Sequence, residues 1–184
     1  MTPTTANVLA VYSRANKSDI AEGMNWYSDA HNFALSLAPI RIAAGVIAAL
    51  SPMNHWATNK AAAEKAFENG TAFGTHTVGN EIKADAIMAG VEPLDILGGN
   101  KVRAFFSTIV DPTGHSIPVI DRHAFDVAVG KVCTDKERGI LSRKGVFAEF
   151  GQVYVEAATI AGIGAPQMQA VTWVVWRREK GVWK

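Results

Sequence analysis

Two short stretches of this 184-residue chain hold residues whose types and spacing could do chemistry. In the first, Asp121 follows the apolar pair Val119-Ile120 and opens a helix-forming run. A carboxylate held at a helix start beside a cleft can orient a nucleophile. It can also stabilise the positive charge that builds on a sugar as its substituent leaves, because that transition state is oxocarbenium-like. Asp is also a favoured N-cap, which accounts for the residue without any chemistry. In the second, Gly98-Gly99 breaks the chain just before Asn100, Lys101 and Arg103. A glycine bend lets backbone N–H groups approach a phosphate closely, since no Cβ intervenes. The helix start that follows adds the positive end of its dipole, and the two cations strengthen it. An ordinary helix C-cap and turn would use the same glycines.

The remaining candidates are weaker. The histidines at 31, 55, 76, 115 and 123 show no H-x-x-x-H pairing, so no metal site and no cofactor are expected. Cys133 is the sole cysteine, which excludes an intrachain disulfide and a cysteine-ligated zinc or iron–sulfur centre. Ser13, Ser51 and Ser107 lack a G-x-S-x-G context. Neither nucleotide-binding glycine loop is present. Trp26 and Tyr27, beside Asp29 and His31, are read either as a pocket wall or as aromatic anchors of an amphipathic helix.

The elements that must position these groups read as helices separated by short turns. Helices are expected over 5–15 and over 18–37, the latter capped by Ser18 or Asp19. Pro39 starts a very apolar helix that Ser51-Pro52 ends, and residues 55–68 form another that stops at Asn69-Gly70. Residues 71–79 read as loop, with short helices at 80–89 and 93–97. Helical periodicity resumes over 100–110, a loop spans 111–118, and 121–129 is helical. Thr134 and Glu137 have capping-box spacing. Ser142 precedes a long helix with Phe147, Phe150 and Tyr154 on one face, and Pro166 opens the last helix. About ten helices and no clear strand predict an all-α protein.

Composition agrees. The chain is 48% hydrophobic and 19% charged, enough for a core and too little charge for disorder. Its abundant alanine favours helix. The net charge of +1 neither demands nor excludes nucleic acid, although binding driven by phosphate neutralisation usually comes with a more basic chain. No apolar run is long enough for a membrane span, and the N-terminus lacks the pattern of a signal peptide. A cytoplasmic location is the expectation.

Taken together, the glycine bend and the aspartate resemble the helix-hairpin-helix superfamily of DNA glycosylases, the endonuclease III group. There a hairpin of the type L-P-G-x-G-x-K precedes V-D-x-H at a helix start by about twenty residues. Here the matching residues are Leu97-Gly98-Gly99-Asn100-Lys101 and Val119-Ile120-Asp121-Arg122-His123. Upstream, residues 48–67 are similar to the family's apolar helix, L-S-x-Q loop and N-K-A helix, with Ser51, Asn59, Lys60 and Ala61 on matching positions. The likeness covers roughly residues 40–180, and the first 38 residues have no counterpart in it.

The resemblance implies a single two-lobed helical domain with a glycosylase-like core over 39–184 and N-terminal helices over 1–38. It implies a DNA repair or DNA modification enzyme that binds duplex DNA and acts on a flipped-out base. Asp121 would be catalytic. Lys101 would be either a Schiff-base nucleophile or a phosphate contact. Gly98, Gly99, Asn100, Arg103, Arg122 and His123 would contact DNA. So would Ser51, Asn59 and Lys60, while Asn54, His55 or Trp56 would fill the gap left by the flipped base. The chain departs from the family in three ways: a hairpin shorter by about two residues, no cluster cysteines, and Arg122 where a small residue is usual. The compact size and altered hairpin suit a viral protein, which would act in the host cytoplasm. Two alternatives stand beside hydrolysis of the base–sugar bond: a base-modifying enzyme on the same scaffold, and a non-catalytic helical DNA-binding or interaction protein.

Overall fold

The alanine-rich, strand-poor sequence folds as helices joined by short loops over the residues described by the computed structural model, 1–74, 77–113 and 117–181. Among them are eleven α-helices, one 3-10 turn and no strand. The fold class is all-α, as the periodicity predicts. His76, His115 and parts of the loops at 71–79 and 111–118 lie outside the described residues.

The chain divides into two compact units, and the division falls inside a helix. One unit joins Met1–Tyr27 to the chain from Pro112 onward, and the other is Ser28–Asp111. Helix α2, Lys17–Leu37, carries the first crossing between them.

In the unit formed by Ser28–Asp111, helix α3 (Ile40–Leu50) is the hub. It packs against α4 (Trp56–Asn69), α5 (Val78–Met88), α6 (Pro93–Ile96) and α7 (Asn100–Val110). The eight residues from Ala43 to Leu50 are all buried, so the stretch AAGVIAAL is apolar on every side because it has neighbours on every side. Burying Val46, Ile47 and Leu50 contributes roughly 1.5–3 kcal/mol each. Gly45 is required by contact: a Cβ there would lie 2.7 Å from Pro93 Cγ and 3.0 Å from Ile87 Cγ2.

The other unit packs α1 (Thr5–Tyr12), α8 (Arg122–Val129), α10 (Val146–Ala161) and α11 (Ala165–Lys180) against one another. Phe125 of α8 stacks on Phe150 of α10, with ring centroids 4.5 Å apart. Tyr154 is fully buried and donates its hydroxyl to Ala124 O at 2.9 Å. The first half of α2 lies close along α11: a Cβ on Gly23 would be 2.5 Å from Val171 Cα. Helix α9 (Asp135–Arg138) and the 3-10 turn Gly139–Ser142 close the connection to α10. Buried Asp126 anchors that connection, accepting from Arg138 Nε at 3.0 Å and Nη2 at 2.7 Å and from the Cys133 amide at 3.2 Å.

Some helix ends differ from expectation. Helix α2 is capped by Asn16: its side chain accepts from the Asp19 amide at 2.9 Å while Asp19 accepts from the Asn16 amide at 2.8 Å. Asp19 therefore sits in the first turn, and it also pairs with Arg178 of α11. Ser142 does not open α10. It bonds back to Gly139 O, and Gly145, with φ +83°, begins the helix instead. The Thr134–Glu137 capping box forms as its spacing implies. Glu137, fixed by Thr134 and by Lys131, has its carboxyl lowered to about 2.

Candidate functional site

Asp121 lies in the unit made from the two chain ends and caps α8. Its Oδ1 accepts from the amides of His123 at 2.9 Å and Ala124 at 2.8 Å. The apolar residues Val119 and Ile120 before it are buried and fix the approach of the chain. Among the described residues no donor reaches the second oxygen, Oδ2. The carboxylate is half-buried, held at one oxygen and, among the described residues, without a donor at the other.

Around it stands a set of residues drawn from distant parts of the chain. His123 is 6% exposed, and its ring faces Trp173 at 6.4 Å between centroids. Arg122 Nε donates to His123 Nε2 at 3.3 Å. Burial holds the His123 imidazole below its ordinary pKa of 6.5, with Asp121 pulling the other way. Arg177 stacks over Trp173, its Cζ 4.0 Å from the ring centroid. Burial lowers the Arg177 pKa, against the attraction of Glu22 and Asp121. Trp26 meets Trp173 edge-on at 6.1 Å and Tyr27 at 4.8 Å. Tyr27 donates to Gln169 Oε1 at 2.7 Å, and burial, helped by the charge of Asp121, pushes its phenol well above the usual range.

The second unit holds the glycine bend. Gly99 has φ +77° and sits at the N-cap of α7, a conformation that favours glycine. Gly98, Gly99, Asn100 and Lys101 are all exposed there. Arg103 has a structural use: its Nη1 donates to Leu94 O at 2.8 Å and Leu97 O at 3.1 Å, satisfying carbonyls at the end of α6. Lys83, which the sequence pattern did not single out, lies beside the bend, its Nζ 3.8 Å from where a Gly98 Cβ would be. A depression of about 50 Å³ there is lined by Pro52, Lys83, Leu97 and Gly98 among others.

The Ser51–Trp56 segment is a tight loop braced by its own polar groups. Ser51 Oγ donates to Ala48 O at 2.9 Å and Asn54 Nδ2 to Leu50 O at 2.7 Å. Both side chains thus satisfy the C-terminal carbonyls of α3. His55 is the exposed N-cap residue of α4. Trp56 is half-buried between Phe33 at 6.0 Å and Phe105 at 6.3 Å, and Lys60 Nζ lies over its ring at 5.7 Å. Met53 in this loop is 81% accessible, with φ +63°. A methionine in the left-handed region costs about 1–2 kcal/mol, so the fold around it holds this side chain outward at an expense.

Two expected DNA contacts need correction. Asn59 is 2% exposed and ties α4 to α3 through Nδ2–H to Ile47 O at 3.1 Å. His123 is likewise enclosed. Neither side chain can reach a DNA backbone from these positions, because the N-K-A pattern and the V-D-x-H pattern both place them on core-facing sides of their helices.

The sequence pattern places Trp173 on the last core helix and Arg177 at its basic end, and it singles out neither Gln169 nor the face that the three share. They lie far along the chain from Trp26 and Asp121, and only their i, i+4, i+8 spacing on α11 hints at a shared face. Among the described residues no group of three His, Cys, Asp or Glu side chains is placed to hold a metal, and no single helix is long and apolar enough to cross a membrane. A larger surface groove of about 520 Å³ runs along α10, lined by Thr5, Val155, Glu156 and Ile160, and contains none of these groups.

Compared with known proteins, the chain matches one family model, described as a family of unknown function (DUF7178), over residues 1–180. No curated protein and no solved structure matches it.

Proposed function

The chain belongs to this family of unknown function, whose description carries no activity to transfer, and from its own residues we propose that it is a DNA-binding enzyme that acts on a flipped-out base, cleaving the base–sugar bond. The observation that carries this reading is the Asp121 carboxylate, pinned through Oδ1 by two backbone N–H groups, with no donor on Oδ2 among the described residues. An anion held this way needs no reorganisation when positive charge develops on a deoxyribose, which is how preorganised groups lower a barrier. Water is the nucleophile. Lys101 is exposed, so its ammonium is hydrated and suits a phosphate contact better than a Schiff base.

The unit containing α3 supplies the grip. The Gly98-Gly99 bend, the start of α7, Lys101 and Lys83 offer N–H groups and positive charge to a phosphate. Met53 is the residue that enters the duplex: an apolar wedge between base steps compensates for the unstacking that flipping requires. It takes that role in place of Asn54, which braces the loop, and Trp56, which is held in an aromatic cluster, while exposed His55 stands beside it.

The test is incubation with duplexes bearing a panel of damaged or modified bases, followed by alkali. Strand cleavage by the wild-type protein, lost in Asp121→Asn, is the expected result. Borohydride should trap no covalent adduct. If no duplex is cleaved and a mass shift appears in modified DNA instead, the chemistry is base modification. If neither occurs, Asp121 is a helix cap alone.

A further inference from the structure

Helix α11 carries Gln169, Trp173 and Arg177 at four-residue intervals, which places an amide, an indole and a guanidinium on one face. Gln169 is only 5% exposed. Its Oε1 is taken by the Tyr27 hydroxyl at 2.7 Å, so the orientation of the amide is set and its nitrogen must act elsewhere. Among the described residues no acceptor meets that nitrogen. Nor is it sealed off: the single described side-chain atom both fully enclosed and without a partner is Asn59 Oδ1. An amide donor this deep is unfavourable unless water or a ligand accepts from it.

The neighbours of the amide define what the ligand is. Trp173, four residues along the same face, is half-exposed, and Arg177 stacked at 4.0 Å fixes the plane of its ring. Trp26 stands edge-on to it at 6.1 Å and is also half-exposed. These surfaces suit a flat ring. Asp121 brings a negative charge felt at Tyr27, His123 and Arg177, and the Arg177 guanidinium on the indole opposes it, so the two charges offset and an uncharged ring suits the site. We infer that Gln169 and Trp173 form a recognition site for an uncharged nucleobase bearing a ring carbonyl, the Gln169 amide nitrogen donating to that oxygen and the indole packing against the ring. Tyr27 is a positioning residue that locks the amide in its donor-outward orientation. Adenine has no carbonyl and offers the amide donor only a ring nitrogen, beside which its exocyclic amine crowds the N–H group when the amide cannot turn over. This inference rests on the proposed action on DNA bases and names the class of base.

The probes are deoxyuridine and deoxyadenosine, titrated into the full-length protein while the tryptophan indole N–H signals are followed by NMR. The wild-type protein should bind deoxyuridine more tightly than deoxyadenosine by about three- to tenfold, the worth of one neutral hydrogen bond. Tyr27→Phe frees the amide to turn over, and discrimination should fall to near parity while thermal stability shows that the core survives. Should that variant fail to fold, Gln169→Asn, which shortens the amide, reads the same loss. Equal binding of the two nucleosides by the wild-type protein, an unchanged ratio in the variants, or no indole response to either probe would overturn the inference. No DNA and no bond cleavage enter this measurement. Selective nucleoside binding without base release from duplexes would keep this site and remove the proposed reaction. Base release without selective nucleoside binding would do the reverse.

Discussion

At the residue scale Asp121 does two jobs that substitution can separate. Asn caps a helix as well as Asp does, so Asp121→Asn should abolish base release while its melting temperature stays within a few degrees of wild type. Asp121→Ala loses the cap as well, and should cost about 1 kcal/mol by chemical denaturation. His123 gives a second check. Burial depresses its pKa in the folded state, against Asp121 and Asp126 and with the help of Arg122 and Arg177. The unfolded chain therefore binds its proton first as pH falls. Stability should be full above the ordinary value of 6.5, fall as pH drops through the interval between 6.5 and the lower folded value, and then level off. His123→Gln should flatten that part of a plot of melting temperature against pH. Of these residues, Asp121 was legible in the sequence because an aspartate at a helix start is a local signal. Gln169, Trp173 and Arg177 were not, because their partners Tyr27, Trp26 and Asp121 are brought to them only by tertiary packing.

At the element scale the helices follow from periodicity and punctuation. Residues 100–110 carry one unbroken helical periodicity, and α7 has those bounds because Gly99 and Asp111 flank it with non-helical backbone. The misread ends share a cause. Several polar residues near a boundary could cap it, and the winner is set by reciprocal bonding, as with Asn16 and Asp19, or by a left-handed glycine, as with Gly145. The α8–α9 connection shows what a buried charge does for an element. Asp126 is almost fully enclosed and relies on Arg138 for two of its hydrogen bonds. Arg138→Met should destabilise the protein by about 3–5 kcal/mol in urea unfolding, since it leaves a carboxylate buried without its cation. Replacing both residues with apolar ones of similar size should recover most of that loss. Gly23→Ala tests a different contact. Its added methyl meets the backbone of Val171, so α2 and α11 must part, at a cost of about 1–3 kcal/mol by the same measurement.

At the scale of the whole molecule, charge bounds the way DNA is held. A net charge of +1 allows few phosphate contacts, so duplex binding should weaken only modestly with added salt. Lys101→Ala should weaken binding alike on every sequence and lower the slope of log affinity against log salt by about one. Fluorescence anisotropy over a salt series reads both effects. The division between Tyr27 and Ser28 has its own consequence for how the chain matures. Residues 28–111 are contiguous and can complete their core soon after leaving the ribosome. Helix α1 emerges before them, yet its partners α10 and α11 are made last. At about 5–20 residues per second the first helix waits roughly ten to thirty seconds for them. During translation, then, the unit bearing Asp121 is the later to mature, and a nascent chain stalled before α11 would carry a finished inner half between two unpaired ends.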